Sequence, residues 1–130
     1  MGIIKLDGFE RIYAVEQFPK EWEKLFKKQH KKRIAADDWL ANNLALLDEN
    51  AALQTMQNHE HYEPVISSHP QLYSIHNKSE LNQRVLYYII TEKNEVLLLT
   101  AFIEKKKSDY DLATQRAENR IKHLHREKEI

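Results

Sequence analysis

The spacing of apolar residues changes along the chain, and the change falls near Pro70. Upstream of Pro70, apolar side chains recur every three or four positions, as they do on one face of a helix. Downstream of it, short apolar runs are separated by polar turns, a pattern typical of strands that are covered on both faces. We therefore predict a mainly helical first part and a sheet-forming second part.

The first part is predicted to contain one strand and a helical hairpin. Residues 11–15, RIYAV, are β-branched and aromatic enough for a strand. Pro19 suits the first turn of a helix, and Asp37 or Asp38 is a candidate cap for a second helix. The apolar residues at helical spacing are Trp22, Leu25 and Phe26 in the first helix and Leu40, Leu44 and Leu47 in the second. Within residues 48–70, ENAALQTMQ is compatible with a further helical turn, and HEHYEPVISSHP has the character of a loop.

The second part is predicted to form three strands and a final helix. The strands are LYSIHN (72–77), RVLYYIIT (84–91) and VLLLTAFI (96–103), and their short links favour an antiparallel meander. Ser108 or Asp109 is a candidate cap for the final helix. We thus expect an α+β fold in one domain, residues 1–130. It has a small antiparallel sheet in the order β-α-α-β-β-β-α, with the helices packed on one side.

Composition excludes several kinds of chemistry. The 130 residues include 20 basic and 20 acidic side chains, two glycines and no cysteine. Zero formal net charge argues against binding nucleic acid by bulk charge alone. The missing cysteines exclude disulfides and thiolate catalysis, and two glycines cannot build a Gly-rich phosphate loop. No apolar run is long enough to span a bilayer and the start lacks a signal-peptide pattern, so we expect a cytoplasmic protein without a membrane partner.

Two local patterns resemble the RelE/HigB superfamily of toxins from type II toxin–antitoxin systems, in particular its phage-derived HigB-like branch. The first is LYSIHNK (72–78) followed by QRVLY (83–87), and the second is LTAFIEKK (99–106) followed by AENRI (117–121). The N-terminal helical hairpin agrees with that family only in order and length. The resemblance implies a RelE-like fold and ribosome-associated mRNA cleavage by 2′-hydroxyl attack, with no metal or cofactor. It also implies a cognate antitoxin, a small DNA-binding protein, as partner beside the ribosome and mRNA.

Such cleavage needs cations on the phosphate, a base for the hydroxyl and an acid for the leaving oxygen. Arg84 matches the family's arginine, and its planar fork suits a phosphate; the alternative is a sheet-edge ion pair with Glu80 or Glu95. His76 and Lys78 alternate onto one strand face, so they form a cationic patch if Arg84 projects to that face. His76 is the candidate general base, because an imidazole exchanges protons near neutral pH, and an exposed strand histidine is the alternative.

Four further residues are candidates for RNA binding. Lys105, Lys106 and Lys107 follow the last predicted strand, where the resemblance implies the floor and rim of the RNA site; a solvated turn is the alternative. Lys105 matches the family's lysine best. Tyr110 is a candidate for base stacking or for the acid, and core packing or surface capping is equally open.

The remaining clusters are read more plainly. A basic stripe on the first helices is either a solvated face or an RNA contact; it comprises Lys24, Lys27, Lys28, Lys31, Lys32 and Arg33. The pairs His59 with His61 and His123 with His125 lack further ligands at suitable spacing, so no metal site is predicted. The alternative function is a catalytically inactive, phage-derived protein-binding module on the same scaffold. Zero net charge favours that alternative.

Overall fold

The structure is a computed structural model that describes residues 1–78 and 81–130. Its helices are α1 (Phe18–Leu25), α2 (His30–Glu49), α3 (Ala51–Gln57) and α4 (Lys107–Arg126). Its strands are β1 (Ile3–Lys5), β2 (Ile12–Val15), β3 (Tyr62–Pro64), β4 (Leu72–Asn77), β5 (Gln83–Ile90) and β6 (Glu95–Ile103). A short 3-10 turn, Thr91–Lys93, joins β5 to β6. The α+β class is confirmed.

The sheet differs from the prediction in size and in direction. Within the described ranges it has six strands in the order β1-β2-β6-β5-β4-β3. Strands β4, β5 and β6 form the antiparallel meander that their short links predict. The expected antiparallel sheet is wrong, because β2 lies parallel to β6. Three helices and three strands separate β2 from β6 in the chain, so the connection is long enough for a parallel pairing.

The sequence pattern missed both edge strands. β1 and β3 have three residues each, and only one residue of the two, Tyr62, is buried. Such short strands carry no alternation that a sequence can reveal. The stretch interpreted as a loop therefore contains β3, which ends at Pro64, as an edge strand tolerates. The further helical turn is present as α3.

Neither predicted helix cap stands at the residue before its helix. α2 begins at His30, so Asp37 lies inside it and accepts a 2.7 Å hydrogen bond from Trp22 Nε1 on α1. α4 follows Lys106, and Asp109 caps it from the third helical position by accepting the backbone N–H of Lys106. The sequence therefore identified Asp109 as a capping residue of α4. At α2 the expected cap is absent, because Asp37 bonds to Trp22 of α1.

Helices cover both faces of the sheet, not one side. Thr100 of β6 contacts α1 and α4: its hydroxyl donates to Glu21 Oε1 at 3.0 Å and accepts from Arg116 Nε at 2.9 Å. Tyr87 of β5 points to the opposite face, where its hydroxyl hydrogen-bonds Thr55 of α3 at 3.0 Å. Because β5 and β6 are apolar on both faces, a single helical layer would leave one of those faces in water.

One ion pair fastens α1 and α4 to the centre of the sheet. Arg120 of α4 donates from Nη1 and Nη2 to the two carboxylate oxygens of Glu21, at 2.8 and 2.5 Å. Arg120 Nη1 also donates to the Leu99 carbonyl at 2.6 Å. Burial raises the pKa of Glu21, but the hydrogen bond and charge of Arg120 outweigh it, so the pKa is lowered. The pair therefore favours the folded state when Glu21 is ionised.

Replacing Glu21 tests this pair through the pH dependence of stability. Since folding lowers the pKa of Glu21, the stabilisation is present above the pKa of an ordinary glutamate and is lost as pH falls through the folded-state pKa. We expect Glu21→Gln to reduce the free energy of unfolding by about 2 kcal/mol at pH 7 and by much less at pH 3. Urea unfolding at both pH values measures this difference. Glu23→Gln, on the exposed side of α1, is the control and should stay within about 0.5 kcal/mol at pH 7; an equal loss in both variants would contradict the assignment.

Candidate functional site

A surface cavity lies where β6 leaves the sheet and α4 begins. Its volume is about 530 Å³, and we call it the Lys105–Tyr110 cavity. Its lining residues are Asn82, Glu104, Lys105, Lys106, Lys107 and Tyr110. Four of the seven residues predicted from the sequence therefore line one cavity.

The backbone around the three lysines is held by short-range hydrogen bonds. The Asp109 carboxylate accepts the backbone N–H groups of Lys105 and Lys106 at 2.9 and 3.0 Å, and these bonds lower the pKa of Asp109. Asn82, in the left-handed region with φ 54°, donates from Nδ2 to the Glu104 carbonyl at 2.7 Å. The three lysine side chains are exposed, so their ammonium groups are open to solvent while hydrogen bonds hold their backbone in place.

Arg84 is enclosed by acids and is not an open phosphate fork. Its Nε donates to Glu104 Oε2 at 2.5 Å, and its Nη1 donates to Glu63 Oε2 at 2.9 Å and to Ser74 Oγ at 3.1 Å. The Arg84 side chain is only 12% exposed. Burial lowers the pKa of Arg84. The hydrogen bonds to the two carboxylates raise it by more than burial lowers it, so the pKa is raised overall.

The ion-pair alternative for Arg84 is therefore correct in kind, with different acids. Glu95 lies at the far end of β6, opposite Ile90, and Glu80 lies outside the described residues. Glu63 comes from β3, in the stretch interpreted as a loop, so the sequence did not bring it near Arg84. A guanidinium removed from water requires such partners, because an unpaired buried charge is strongly destabilising.

Tyr110 packs on Arg84 as well as lining the cavity. The guanidinium carbon lies 5.1 Å from the centre of the Tyr110 ring, and Phe102 meets the ring edge-on at 6.1 Å. Burial raises the pKa of Tyr110; Arg84 opposes this shift, and the nearby carboxylates add to it. The phenol therefore stays protonated at neutral pH and can donate a proton. The core-packing interpretation of Tyr110 holds together with its place at the cavity.

His76 lies beside the cavity and behind Asn82. His76 pairs with Arg84 across β4 and β5, so the two share a face as predicted. Its Nε2 hydrogen-bonds Asn82 Oδ1, and because that oxygen only accepts, Nε2 carries the proton. The other ring nitrogen, Nδ1, is then a lone-pair acceptor; it is buried, and among the described residues it has no hydrogen-bond partner.

Lys78 does not join this group. It follows the end of β4, is exposed and does not line the cavity. The expected cationic patch of His76, Lys78 and Arg84 therefore does not form as a free set, because Arg84 is neutralised by acids and Lys78 lies apart from the cavity. The cationic side chains that face the cavity are the three lysines.

The sequence missed Glu63, Glu104 and Asn82. Glu104 had one visible signal, an acid placed directly before three lysines. Asn82 had a weaker one, since asparagine tolerates the left-handed backbone of a tight turn. For Glu63 no local signal exists, because only the pairing of β3 with β4 brings it to Arg84.

The other clusters contain less chemistry. The basic stripe borders a 790 Å³ surface cavity at the α1–α2 junction, where Arg33 pairs with Glu23 and Asp37, each at 3.6 Å. His61 hydrogen-bonds Asn43, and His123 pairs with Glu127 at 3.0 Å. In the part of the chain that the structure describes, no three His, Cys, Asp or Glu side chains are placed to hold one metal ion. None of the described helices is both long and apolar enough to cross a bilayer.

Comparison with protein-family models, curated proteins and solved structures finds no match to this chain. The RelE/HigB resemblance thus rests on the two sequence patterns alone.

The pairing of Arg84 is tested by measuring stability. We expect Arg84→Gln to reduce the free energy of unfolding by about 3 kcal/mol, because Glu63 and Glu104 then face each other without a cation. Arg84→Lys should recover part of this loss by restoring the charge without the fork. Urea unfolding measures both, with Lys105→Gln as an exposed control that stays within about 0.5 kcal/mol. Wild-type stability in Arg84→Gln would show that the ion pairs contribute nothing.

Proposed function

We propose that this chain is a metal-independent endoribonuclease, an mRNA interferase toxin of a toxin–antitoxin pair with a RelE-like fold. The observation that carries the proposal is the Lys105–Tyr110 cavity, where three exposed lysines and a tyrosine meet. His76 lies behind this cavity and hydrogen-bonds Asn82 of its wall. The RelE/HigB-like sequence patterns supply the reaction class. A cognate antitoxin, the ribosome and mRNA are the partners that this function implies, and the cytoplasm is the location it implies.

RNA binding is assigned to the three lysines and Tyr110. Lysine ammonium groups neutralise phosphates without fixed geometry, which suits a strand that moves through several positions. Tyr110 offers an aromatic surface at the same cavity, on which an unpaired base stacks. Local charge replaces bulk charge here, which is how a chain of zero net charge can bind RNA.

Cleavage is assigned to His76 and Tyr110. His76 Nδ1 is buried in the unbound chain, so RNA has to displace the side chains that cover it before the step. Nδ1 then accepts the proton of the 2′-hydroxyl, the 2′-oxygen bonds to the adjacent phosphorus, and the bond from phosphorus to the 5′-oxygen breaks. The leaving 5′-oxygen takes a proton from the neutral Tyr110 phenol, and the products are a 2′,3′-cyclic phosphate and a free 5′-hydroxyl. The lysines stabilise the added negative charge at the phosphate.

Arg84 is a positioning residue in this proposal. Through its hydrogen bond to Glu104 and its packing on Tyr110, it holds the wall of the cavity in place. An activity loss in an Arg84 variant therefore combines a stability effect with any catalytic effect. For this reason the decisive variants are the lysines and His76.

The salt dependence of RNA binding tests the lysines. For single-stranded RNA, log K falls against log salt with a slope of roughly −0.7 for each phosphate neutralised. We expect the triple variant Lys105→Gln, Lys106→Gln, Lys107→Gln to flatten this slope by about 2. Fluorescence anisotropy with a labelled RNA dodecamer of mixed sequence measures it.

A triple variant of equal charge change provides the control. This control combines Lys24→Gln, Lys27→Gln and Lys31→Gln, three residues of the basic stripe. It should leave the slope of log K against log salt unchanged. A flatter slope in this control, with none in the Lys105–Lys107 variant, would move the RNA site to the α1–α2 surface.

Expression without an antitoxin tests the chemistry. Wild type should arrest growth and produce RNA fragments with 2′,3′-cyclic phosphate ends. Purified protein that has been treated with EDTA and then transferred to the Mg²⁺ buffer that ribosomes need should cleave mRNA on ribosomes. His76→Gln should lower the cleavage rate about 100-fold, in line with loss of a general base, while RNA binding stays the same. His125→Gln, an exposed histidine of α4, is the matched control. Full growth arrest by His76→Gln would refute the assigned base.

The second candidate function is a non-catalytic protein-binding module. The observation that favours it is the enclosure of Arg84 by Glu63 and Glu104, which leaves no open guanidinium at the cavity. Harmless expression of folded wild-type protein, without cleaved mRNA, would support this candidate over the first.

A further inference from the structure

A second cavity lies along α4, on the side where Arg116 and Arg120 approach Thr100 and Glu21, and none of its lining residues belongs to the Lys105–Tyr110 cavity. Its volume is about 520 Å³, and we call it the Arg116 cavity. The polar side chains that line it are Gln115, Arg116, Asn119, Arg120, His123 and Arg126, and no carboxylate is among its lining residues. Two of these side chains have acidic partners just outside the lining, since Arg120 pairs with Glu21 and His123 with Glu127.

Arg116 is the half-buried cation of this cavity. Its Nε donates to Thr100 Oγ1 at 2.9 Å, and within residues 1–78 and 81–130 no carboxylate oxygen lies within 4 Å of its guanidinium. The nearest acid in the network, Glu21, already receives both terminal nitrogens of Arg120. Burial lowers the pKa of Arg116, Glu21 opposes this shift and Arg120 adds to it. Arg116 nevertheless remains charged at neutral pH, because its ordinary pKa is far higher.

The contrast with the other enclosed arginines is direct. Arg84 has two carboxylate partners and Arg120 has one, each with a contact at 2.5 Å. Arg116 has only a hydroxyl, so its terminal N–H groups are free to meet an anion from outside. A second guanidinium, Arg126, and the amides of Gln115 and Asn119 share the cavity and add donors from other directions.

We infer that the Arg116 cavity binds a phosphate group. A carboxylate has two oxygens in one plane and pairs well with one guanidinium, as Glu21 does with Arg120. A phosphate presents oxygens in several directions, which suits arginine and amide donors that surround the anion. The cavity also contains Leu112 and has room beyond the phosphate, so the ligand class is a nucleotide or one phosphodiester of an RNA strand.

The two cavities lie along the same helix, so one RNA strand is a candidate ligand for both. Arg116 follows Lys107 by nine residues on one helix, which is about 14 Å along its axis. Nine residues also turn the helix by about two and a half turns, so Lys107 and Arg116 lie on opposite sides of α4. A strand that occupies the Lys105–Tyr110 cavity therefore has to wrap around the start of α4 to reach Arg116. The phosphate site itself does not depend on the proposed ribonuclease function.

Calorimetric titration of the full chain with adenosine monophosphate tests the inference, with adenosine as the ligand that lacks the phosphate. Wild type should bind the nucleotide and not adenosine. Arg116→Gln should weaken binding at least about tenfold, which is the worth of a charged hydrogen bond, and Arg116→Lys should weaken it less. Lys122→Gln removes one charge from an exposed position of the same helix, does not line the cavity, and should change affinity less than about twofold.

Arg126→Gln keeps the test decisive if Arg116→Gln unfolds. Arg126 is exposed, so its replacement leaves the core intact, and it should weaken nucleotide binding about threefold. Absence of nucleotide binding in wild type, or unchanged binding in both the Arg116 and Arg126 variants, would overturn the inference. Binding of a hexaglutamate peptide in place of the nucleotide would overturn it in favour of an acidic protein partner.

Two further measurements separate the sources of the phosphate and the two proposals. The RNA dodecamer should lose affinity in Arg116→Gln if the strand is the source, whereas only the mononucleotide loses affinity if the source is a free nucleotide. The Lys105–Lys107 triple variant should still bind adenosine monophosphate. Loss of RNA cleavage with retained nucleotide binding would thus count against the proposed function alone, and the reverse result would count against the Arg116 cavity alone.

Discussion

Compensation of buried charge under α4 is the constraint on which this structure depends. The face of the sheet that α1 and α4 cover contains arginines, and a guanidinium removed from water needs an anion close by. Glu21 meets Arg120, and Glu63 together with Glu104 meets Arg84. The pair of Arg120 with Glu21 joins α4 to α1, and the pairs of Arg84 join β5 to β3 and to the end of β6. The contacts that neutralise charge therefore also connect elements that are far apart in the chain.

The constraint also separates the cations into two groups with different roles. Arg84 and Arg120 have carboxylate partners and hold the structure together, so their charge is not open to a ligand. The three lysines after β6 are exposed around a cavity, and Arg116 faces a second cavity without a carboxylate. Formal net charge is therefore a poor guide to this protein, because the local surroundings of each cation decide whether it can meet an anion.

The extent to which the sequence predicted the fold follows from how local each signal is. The apolar runs of β4, β5 and β6 predicted three strands within one residue of their observed ends, because central strands are marked by their own composition. β1 and β3 were missed, since short edge strands depend on their neighbours for pairing and hardly on their own residues. In the same way, the lysines and Tyr110 were found near one another because they are adjacent in the chain.

The sequence by itself determined the α+β class, the central meander, the final helix and the lysine-rich bend at its start, since each depends on periodicity or on neighbours in the chain. Only the tertiary structure decided that β2 pairs parallel to β6, that helices cover both faces and that Arg84 is neutralised. These features depend on contacts between distant residues. A cation is paired when the fold brings an acid within a few ångströms of it, and otherwise it is available to a ligand. A local sequence pattern does not reveal that distance.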